Sequence, residues 1–309
     1  MRYQDIYSKT YYMLAGRNKL YSALRFIIRS VANIDLKCHY KYISNKANVD
    51  KDSEVIISLT SFPARIKYVW LTIETLLHQS IRPKSIVLWL SRMQFPNELQ
   101  DLPVSLLRQM QRGLKIRFVD DDIRSHKKYF YIFQELPDQL IMLADDDIIY
   151  PSDIIESLLT EYNRSSKDNV VVHKYGHIIQ YEQDGNILPY NSWLSSYGPS
   201  NSPNLFFGSG GGTLLKPSCL YKDICNLELA LQLTPDADDI WLNAMARLGG
   251  CKYIKVPDGP ILSIQNKDDM PLYKQNLGHG QNDIQLSAVS NHYLNTINKN
   301  PFEKREYYE

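Results

Sequence analysis

The sequence predicts an α/β protein with a mostly parallel sheet flanked by helices and an N-terminal helical extension. Three observations support this fold class. Short apolar runs alternate four times with amphipathic segments between residues 54 and 164. Polar residues follow those runs, as they do at the carboxyl ends of buried parallel strands. The first 34 residues have a basic, amphipathic pattern that sets them apart from the rest of the chain.

The apolar runs are short and are bounded by turn residues, which predicts buried strands. These strands cover residues 54–60, 85–91, 114–120 and 139–145. Segments with helical periodicity follow them at residues 67–80, 102–113, 125–136 and 152–164. This alternation is typical of a parallel sheet with crossover helices, in which ligands bind beyond the carboxyl ends of the strands.

The second half of the chain lacks that regular alternation. Residues 169–185 have strand character and a turn, and residues 204–217 form a glycine-rich apolar loop followed by a strand. Residues 236–250 begin with aspartates, continue as an amphipathic helix and end at a Gly-Gly pair. Residues 251–257 predict one more strand.

Composition excludes several classes of protein. The net charge of +1 over 309 residues gives no overall argument for nucleic-acid binding. The four cysteines form no CxxC pair, which excludes a zinc ribbon and favours a reducing compartment. The sequence contains no apolar run of membrane-spanning length and no signal-peptide core at its N-terminus, so we expect a cytoplasmic protein.

The first 34 residues leave two interpretations open. They carry six basic residues against Asp5 alone, with apolar and aromatic residues at roughly helical spacing. Such a helix or helix pair can lie on an anionic surface, here the inner face of the plasma membrane. It can also dock on the main domain and turn its charges to water. The polar residues 44–53 are interpreted as a linker.

Three consecutive carboxylates, Asp145, Asp146 and Asp147, follow the fourth predicted strand. Repulsion and desolvation make such a cluster costly to ionise. Asp145 and Asp147 can face one cation, and their hard oxygen atoms suit Mn²⁺ or Mg²⁺. Such a cation can bridge to a diphosphate and neutralise charge on a leaving group. A solvated acidic turn is the alternative.

Several common catalytic motifs are absent from the sequence. It has no GxxxxGK[ST] and no GxGxxG after the first strand, where the turn reads "TSFPARI". It also has no GxSxG elbow and no HExxH. These absences disfavour P-loop, nicotinamide, flavin, α/β-hydrolase and zinc-protease functions.

The motifs that are present give the chain a resemblance to GT-A-fold glycosyltransferases of the family-2-like kind from bacterial polysaccharide and capsule biosynthesis. The resemblance covers roughly residues 54–290, and the order and spacing of its motifs are more specific than any one motif. Its motifs are "IISLTSFPARI", "LADDDIIYP", "FGSGGGTLLKP" and "DADDIWLNAMARLGG". It implies a GT-A-like fold and a metal-dependent transfer of sugar from a nucleotide-diphosphate donor, a UDP-sugar by default, to a glycan or lipid-linked hydroxyl.

The resemblance also implies roles for individual residues. Thr60 and Ser61 would hold the base and ribose, Arg65 would reach a phosphate, and Gly211 would let the backbone approach the ligand. The implied contacts to the nucleotide-sugar are Thr60, Ser61, Arg65, Asp120, Lys128, Asp145, Asp146 and Gly211. Surface positions for Arg65 and Lys128 are the alternatives. Asp122 could replace Asp120, and the carboxylates at 120–122 are a rival metal site.

For the chemistry, the resemblance implies Asp239 as the base and Asp238 as its neighbour on the acceptor, which favours inversion. The metal ligands would be Asp145, Asp147 and His279. Helix capping is the alternative for all three aspartates of this motif, Asp236, Asp238 and Asp239. A structural or exposed position is the alternative for His279.

The implied organisation is an extension and linker (1–50), a glycosyltransferase domain (51–295) and a C-terminal tail (296–309). The domain divides into a nucleotide-binding half (54–165) and an acceptor half (166–295). Two other functions stay open. One is a nucleotidyltransferase, which the glycine-poor turn "TSFPARI" disfavours. The other is a non-catalytic carbohydrate-binding protein, which the presence of both carboxylate sets disfavours.

Overall fold

The computed structural model describes residues 2–14, 18–43, 46–165, 169–195, 200, 202–265 and 280–306. The chain begins with α1 (Tyr3–Met13) and α2 (Lys19–Cys38), which continues into a π-helical turn (His39–Ile43). The next elements are β1 (Val55–Thr60), α3 (Val69–Leu77), β2 (Ser85–Ser91), α4 (Val104–Met110), β3 (Leu114–Val119), α5 (Lys127–Glu135), β4 (Leu140–Ala144) and α6 (Ile154–Arg164). The second half contains β5 (Val170–His173), β6 (Gly176–Ile178), β7 (Leu194–Ser195), β8 (Leu205–Phe207), β9 (Gly211–Leu215), α7 (Leu227–Leu233), α8 (Asp238–Leu248), β10 (Lys252–Lys255) and α9 (Gln281–Ile297).

The central sheet has seven strands in the order β10–β5–β9–β4–β1–β2–β3. All neighbours are parallel except β9, which runs antiparallel to both β4 and β5. A smaller antiparallel sheet, β7–β6–β8, lies between β5 and β9 in the chain. The prediction of a mostly parallel sheet flanked by helices is therefore confirmed. The carboxyl ends of β1 to β4 meet at one edge, where ligands bind in such sheets.

Apolar side chains cover both faces of the sheet, as a parallel sheet requires. One face packs against α3, α4 and α6, through residues such as Ile73, Leu106 and Leu158. The other face packs against α5 and α8, with Phe133 and Trp241 fully or almost fully buried. Because both faces are buried, the carboxyl ends of β1 to β4 are held in fixed positions.

The extension is helical, and α1 is tied to the main domain by buried polar groups. Gln4 Nε2 donates to the carbonyl oxygens of Thr75 and Tyr150, at 3.1 and 2.8 Å. The carboxylate of Asp5 accepts hydrogen bonds from the backbone N–H and the hydroxyl of Ser152, at 2.8 and 2.7 Å. Over the described residues, no helix combines the length and apolarity needed to cross a membrane.

The C-terminal residues pack against the domain. Helix α9 reaches Ile297, so the predicted boundary at residue 295 falls within a helix. Phe302 is fully buried. The guanidinium of Arg247 donates to the carbonyl oxygens of Pro301 and Glu303, at 2.5 and 2.8 Å. Pro301 and Phe302 are therefore buried in the domain, although the predicted organisation places them in a tail.

We expect Phe302→Ala to lower the free energy of unfolding by about 3–5 kcal/mol, because it removes a fully buried aromatic side chain. Urea denaturation measures this difference. The matched control is Phe26→Ala, since the Phe26 side chain is 59% exposed and its loss should cost less than about 0.5 kcal/mol. Equal effects of the two substitutions would contradict the packing of the C-terminal segment.

Candidate active site

The candidate site lies where the loop after β4 faces the start of α8. Asp145 follows the last residue of β4, and its side chain is 42% exposed. Its backbone N–H lies 3.2 Å from the carbonyl oxygen of Gly210 and 2.9 Å from the hydroxyl of Tyr150. That hydroxyl in turn donates to the Gly210 carbonyl. These contacts fix the position of the Asp145 carboxylate against the glycine-rich loop.

Lys128, on α5, connects the two carboxylate sets. Its ammonium lies 2.9 Å from a carboxylate oxygen of Asp145 and 2.9 Å from one of Asp238. The lysine side chain is only 5% exposed. Lys128 was predicted to contact the nucleotide or its phosphates, and the structure adds that it bridges the end of β4 and the start of α8.

Arg65 and Ser61 bind the second and third aspartates of the cluster. The Asp146 carboxylate is buried and accepts hydrogen bonds from Ser61 Oγ at 2.5 Å and Arg65 Nη1 at 2.8 Å. The same Arg65 nitrogen lies 3.0 Å from Asp147. Arg65 is therefore largely buried in the site, and the alternative of a surface arginine is wrong.

The carboxylates at the start of α8 are held by Ser209. Its hydroxyl donates to Asp239 at 2.5 Å and lies 3.2 Å from Asp238, while its backbone N–H donates to Asp239 at 2.9 Å. The N-cap position of α8 is Ala237, which has no capping side chain. Asp238 and Asp239 are thus bound to Lys128 and the glycine-rich loop, which capping alone does not require.

Burial and neighbouring charges separate the pKa values of these groups. Burial raises the pKa of Asp239, and the charge of Asp238 adds to this, bringing it to about 6. Burial would also raise the pKa of Asp238, but Lys128 lowers it below the ordinary value. Burial would lower the pKa of Lys128, but the charges of Asp145, Asp238 and Asp239 raise it well above its usual range. Two adjacent carboxylates with opposite shifts are typical of acid–base sites.

The glycine-rich loop approaches the carboxylates at Gly210. A Cβ atom at Gly210 would lie 1.8 Å from the Asp145 carboxylate, so only glycine fits there. A Cβ at Gly211, the glycine that we predicted as a ligand contact, would instead meet the Cβ of Tyr175 at 2.3 Å. Gly210 belongs to the glycine run at 208 and 210–212 that the sequence suggests for close approach of the backbone, whereas Ser209 and Tyr150 were not predicted, although both lie inside the quoted motifs.

Other predicted contacts to the nucleotide lie further along the same edge. The hydroxyl of Thr60 donates to the Trp89 carbonyl oxygen at 2.8 Å. Asp120 pairs with Arg92 at 2.8 Å, and its side chain is 87% exposed. Asp122 is more enclosed and accepts hydrogen bonds from Gln94 and Lys127.

The donor set of the site fits a metal bound through two carboxylates. Asp145 and Asp147 are 42% and 33% exposed, and they supply the oxygen ligands that Mg²⁺ and Mn²⁺ prefer. Mg²⁺ commonly takes one or two carboxylates and completes its shell with water and substrate phosphates. Within the residues that the structure describes, no group of three potential ligands is assembled. His279, the predicted third ligand, lies outside the described residues.

Neither a protein-family model nor a curated protein matches the chain. The chain is similar to a solved mannosyltransferase from Pyrobaculum calidifontis in complex with GDP-Man and Mn²⁺. The identity is 11% and the TM-score 0.47, over 90% of this chain and 77% of that one.

It is also similar to a CMP:2-keto-3-deoxy-manno-octonic acid synthetase complexed with CTP. The identity is 11% and the TM-score 0.40, over 68% of this chain and 91% of the other. A third similar structure is the 2-C-methyl-D-erythritol 4-phosphate cytidylyltransferase of Francisella tularensis. Its identity is 11% and its TM-score 0.42, over 73% of this chain and 99% of that chain. Likenesses this distant carry no argument about the reaction.

We expect Asp239 to titrate near pH 6, and Lys128→Met to raise its pKa further, because the Lys128 charge lowers it. Carbon-13 NMR of the aspartate carboxyl groups measures both values, with Asp239→Asn identifying the signal. Lys127→Met is the matched control, since Lys127 pairs with Asp122. The electrostatic account of the site fails if both lysine variants leave the titration unchanged.

Proposed function

We propose that this chain is a glycosyltransferase that moves a sugar from a nucleotide-diphosphate donor to an acceptor hydroxyl with inversion. The observation that carries the proposal is the pair of carboxylate sets joined by Lys128. One set lies at the sheet edge where nucleotides bind in such folds. The other contains Asp239, a carboxylate with a pKa raised to about 6. A carboxylate with that pKa is a suitable general base near neutral pH.

The division of work follows from the geometry. Asp239 takes the proton of the acceptor hydroxyl as its oxygen attacks the anomeric carbon and the bond from that carbon to the diphosphate breaks. Ser209 holds the Asp239 carboxylate through two hydrogen bonds. Lys128 and Arg65 present positive charge on the donor side, where the leaving diphosphate gains negative charge.

The proposed metal is Mn²⁺ or Mg²⁺. Asp145 and Asp147 would hold it, with His279 as the predicted third ligand. When bound, the ion neutralises charge on the departing diphosphate. For the nucleoside, the proposed contacts are Thr60, Ser61 and Asp120. A UDP-sugar is the default donor.

The proposed acceptor is a glycan or lipid-linked hydroxyl in cell-surface polysaccharide synthesis. The proposed location is cytoplasmic, with peripheral contact to the inner face of the plasma membrane through residues 1–34.

A nucleotidyltransferase would use the same type of sheet edge and acidic site. A nucleotidyltransferase that takes a sugar phosphate as its acceptor uses a phosphate oxygen, which is already ionised and needs no base. A hydroxyl acceptor does need one, so the buried Asp239 held by Ser209 favours sugar transfer. A non-catalytic carbohydrate-binding protein would have no need for carboxylates with divergent pKa values.

We expect purified protein to release nucleoside diphosphate from one member of a nucleotide-sugar panel, in the presence of Mn²⁺ or Mg²⁺. EDTA should abolish the release, and Asp147→Ala should reduce it by about 100-fold or more, because a ligand and a transition-state charge contact are lost. Asp184→Ala, in an exposed turn, is the matched control and should keep full activity.

The other outcomes of the panel are equally specific. Pyrophosphate release from a nucleoside triphosphate and a sugar phosphate would identify a nucleotidyltransferase. Donor binding without turnover, measured by thermal shift, would identify a binding protein. Full turnover in EDTA would show that the metal assignment is wrong.

We expect kcat to rise with pH through about 6 and to be about tenfold lower at pH 5, because Asp239 acts only when it is deprotonated. Asp239→Asn should lower kcat by about 10²–10⁴-fold with little change in the donor KM. Asp236→Asn, at the same turn, should retain the pH dependence. A wild-type kcat that is constant from pH 5 to 7 would exclude Asp239 as the base.

A further inference from the structure

Helix α2 carries an apolar stripe that faces solvent. The stripe consists of Leu20, Leu24, Ile27, Val31 and Ile34, which are spaced four, three, four and three residues apart and therefore share one face. Their exposed fractions include 62% for Leu20, 56% for Ile27 and 69% for Ile34. Large apolar residues at that spacing normally face a core, so this helix exposes the face that would usually be covered.

Other large apolar side chains of the first 43 residues are exposed as well. They are Tyr3, Ile6, Met13, Tyr21, Phe26 and Tyr42. Single exposed apolar residues need no explanation, but a concentration of them marks an interaction surface. This surface, α1 and α2 together with the π-helical turn, is called the N-terminal face below.

The N-terminal face is positively charged. Residues 1–43 contain eight Lys and Arg against two Asp, a net charge of +6, so the remaining chain carries −5. Both aspartates point to protein partners. Asp5 binds Ser152, and Asp35 accepts hydrogen bonds from the hydroxyls of Tyr3 and Tyr7, at 2.7 and 2.6 Å. The negative charges are thereby engaged internally while Lys9 and Lys19 remain exposed.

The C-terminal half of α2 holds the stripe in place. Its buried residues are Ala32, Asn33 and Leu36. The Asn33 side chain donates to the Ser263 carbonyl at 3.1 Å and accepts from the backbone N–H of Gln265 at 2.8 Å. Between them, Ile264 N–H donates to the carbonyl oxygen of Asp147 at 2.6 Å. Helix α2 therefore contacts the segment 263–265, and that segment contacts the acidic loop of the candidate site.

We propose that α2 lies on an anionic lipid bilayer, with the apolar stripe inserted at the headgroup boundary and the basic residues against lipid phosphates. An exposed apolar stripe and a net charge of +6 over residues 1–43 match such a surface in both polarity and charge. Docking would bring the site to a lipid-linked acceptor, and this consequence rests on the proposed function. The proposal that α2 binds the bilayer is independent of the proposed function.

A second copy of this chain fits the N-terminal face less well. Sustained heptads with charged flanking positions are expected of a coiled coil, but α2 has 20 residues, fewer than three heptads. Its flanking positions Tyr21, Ala23, Ile28 and Ser30 carry no charge. The two charged flanking positions, Asp35 and Lys37, contact Tyr3 and Tyr68 within the protein. Symmetric pairing would also bring together two segments that each carry a net charge of +6, which repulsion opposes.

Vesicle flotation of the full chain tests the proposal, with vesicles of phosphatidylcholine alone or in an equal mixture with phosphatidylglycerol. We expect binding to the anionic vesicles, weakened by high salt because charges are screened. The variant Leu20→Ser/Ile27→Ser/Ile34→Ser should bind at least about tenfold less, because three inserted side chains are lost. The matched control is Ile284→Ser/Leu294→Ser, which changes exposed apolar residues of α9.

Circular dichroism checks that each variant folds, and Ile34→Glu at the most exposed position of the stripe is the second test variant. No binding, equal binding to both vesicle types, or undiminished binding of the folded stripe variants would overturn the proposal. So would a dimer in light scattering without lipid that the stripe substitutions dissociate. Nucleotide release from soluble donors is measured separately, so failure of the proposed function is distinguishable from failure of docking.

Discussion

The ion pairs of Lys128 are the interaction on which the candidate site depends. The ammonium group lies 2.9 Å from both Asp145 and Asp238, and it joins the end of β4 to the start of α8. A buried carboxylate without a cation is strongly disfavoured, so the two elements gain stability by meeting at this lysine. The glycine-rich loop fits between them only because Gly210 has no Cβ to clash with Asp145.

The balance of charge in the site explains how it can hold both a cation and a diphosphate. Five carboxylates, at 145–147 and 238–239, face the two cationic side chains Lys128 and Arg65. Burial and the excess of negative charge raise the pKa of Asp239, and the same excess favours a divalent cation. With the proposed cation bound, the summed charge of cation, Lys128 and Arg65 would suit an anionic donor. The same electrostatics would thus serve the proposed donor binding and the proposed base.

The sequence predicts the strands of the first half to within a residue. Three of them, β1, β2 and β4, are short buried apolar runs, and a polar residue stands at or directly after the end of each. The edge strand β3 instead alternates, with Lys115 and Arg117 exposed between buried or half-buried residues. The sequence also identifies both carboxylate sets, since they stand at a strand end and a helix start. The sequence does not predict the ion pair between Lys128 and Asp238, because Asp238 lies far along the chain and no local pattern encodes the pairing. The sequence does not show which glycine of the run lies against Asp145. The backbone path places Gly210 there and Gly211 against Tyr175.

The N-terminal helices are structurally coupled to the acidic loop. Gln4 and Asp5 bind the residues that follow the cluster, at Tyr150 and Ser152, and Asn33 holds the segment whose Ile264 N–H binds Asp147. The loop at 145–152 is therefore held by β4 on one side and by the extension on the other. A helix used only for surface attachment would not need buried polar contacts to the site. The extension contacts the acidic loop from the protein side while it presents an apolar stripe outward, so the proposed attachment and the proposed catalysis would share one support.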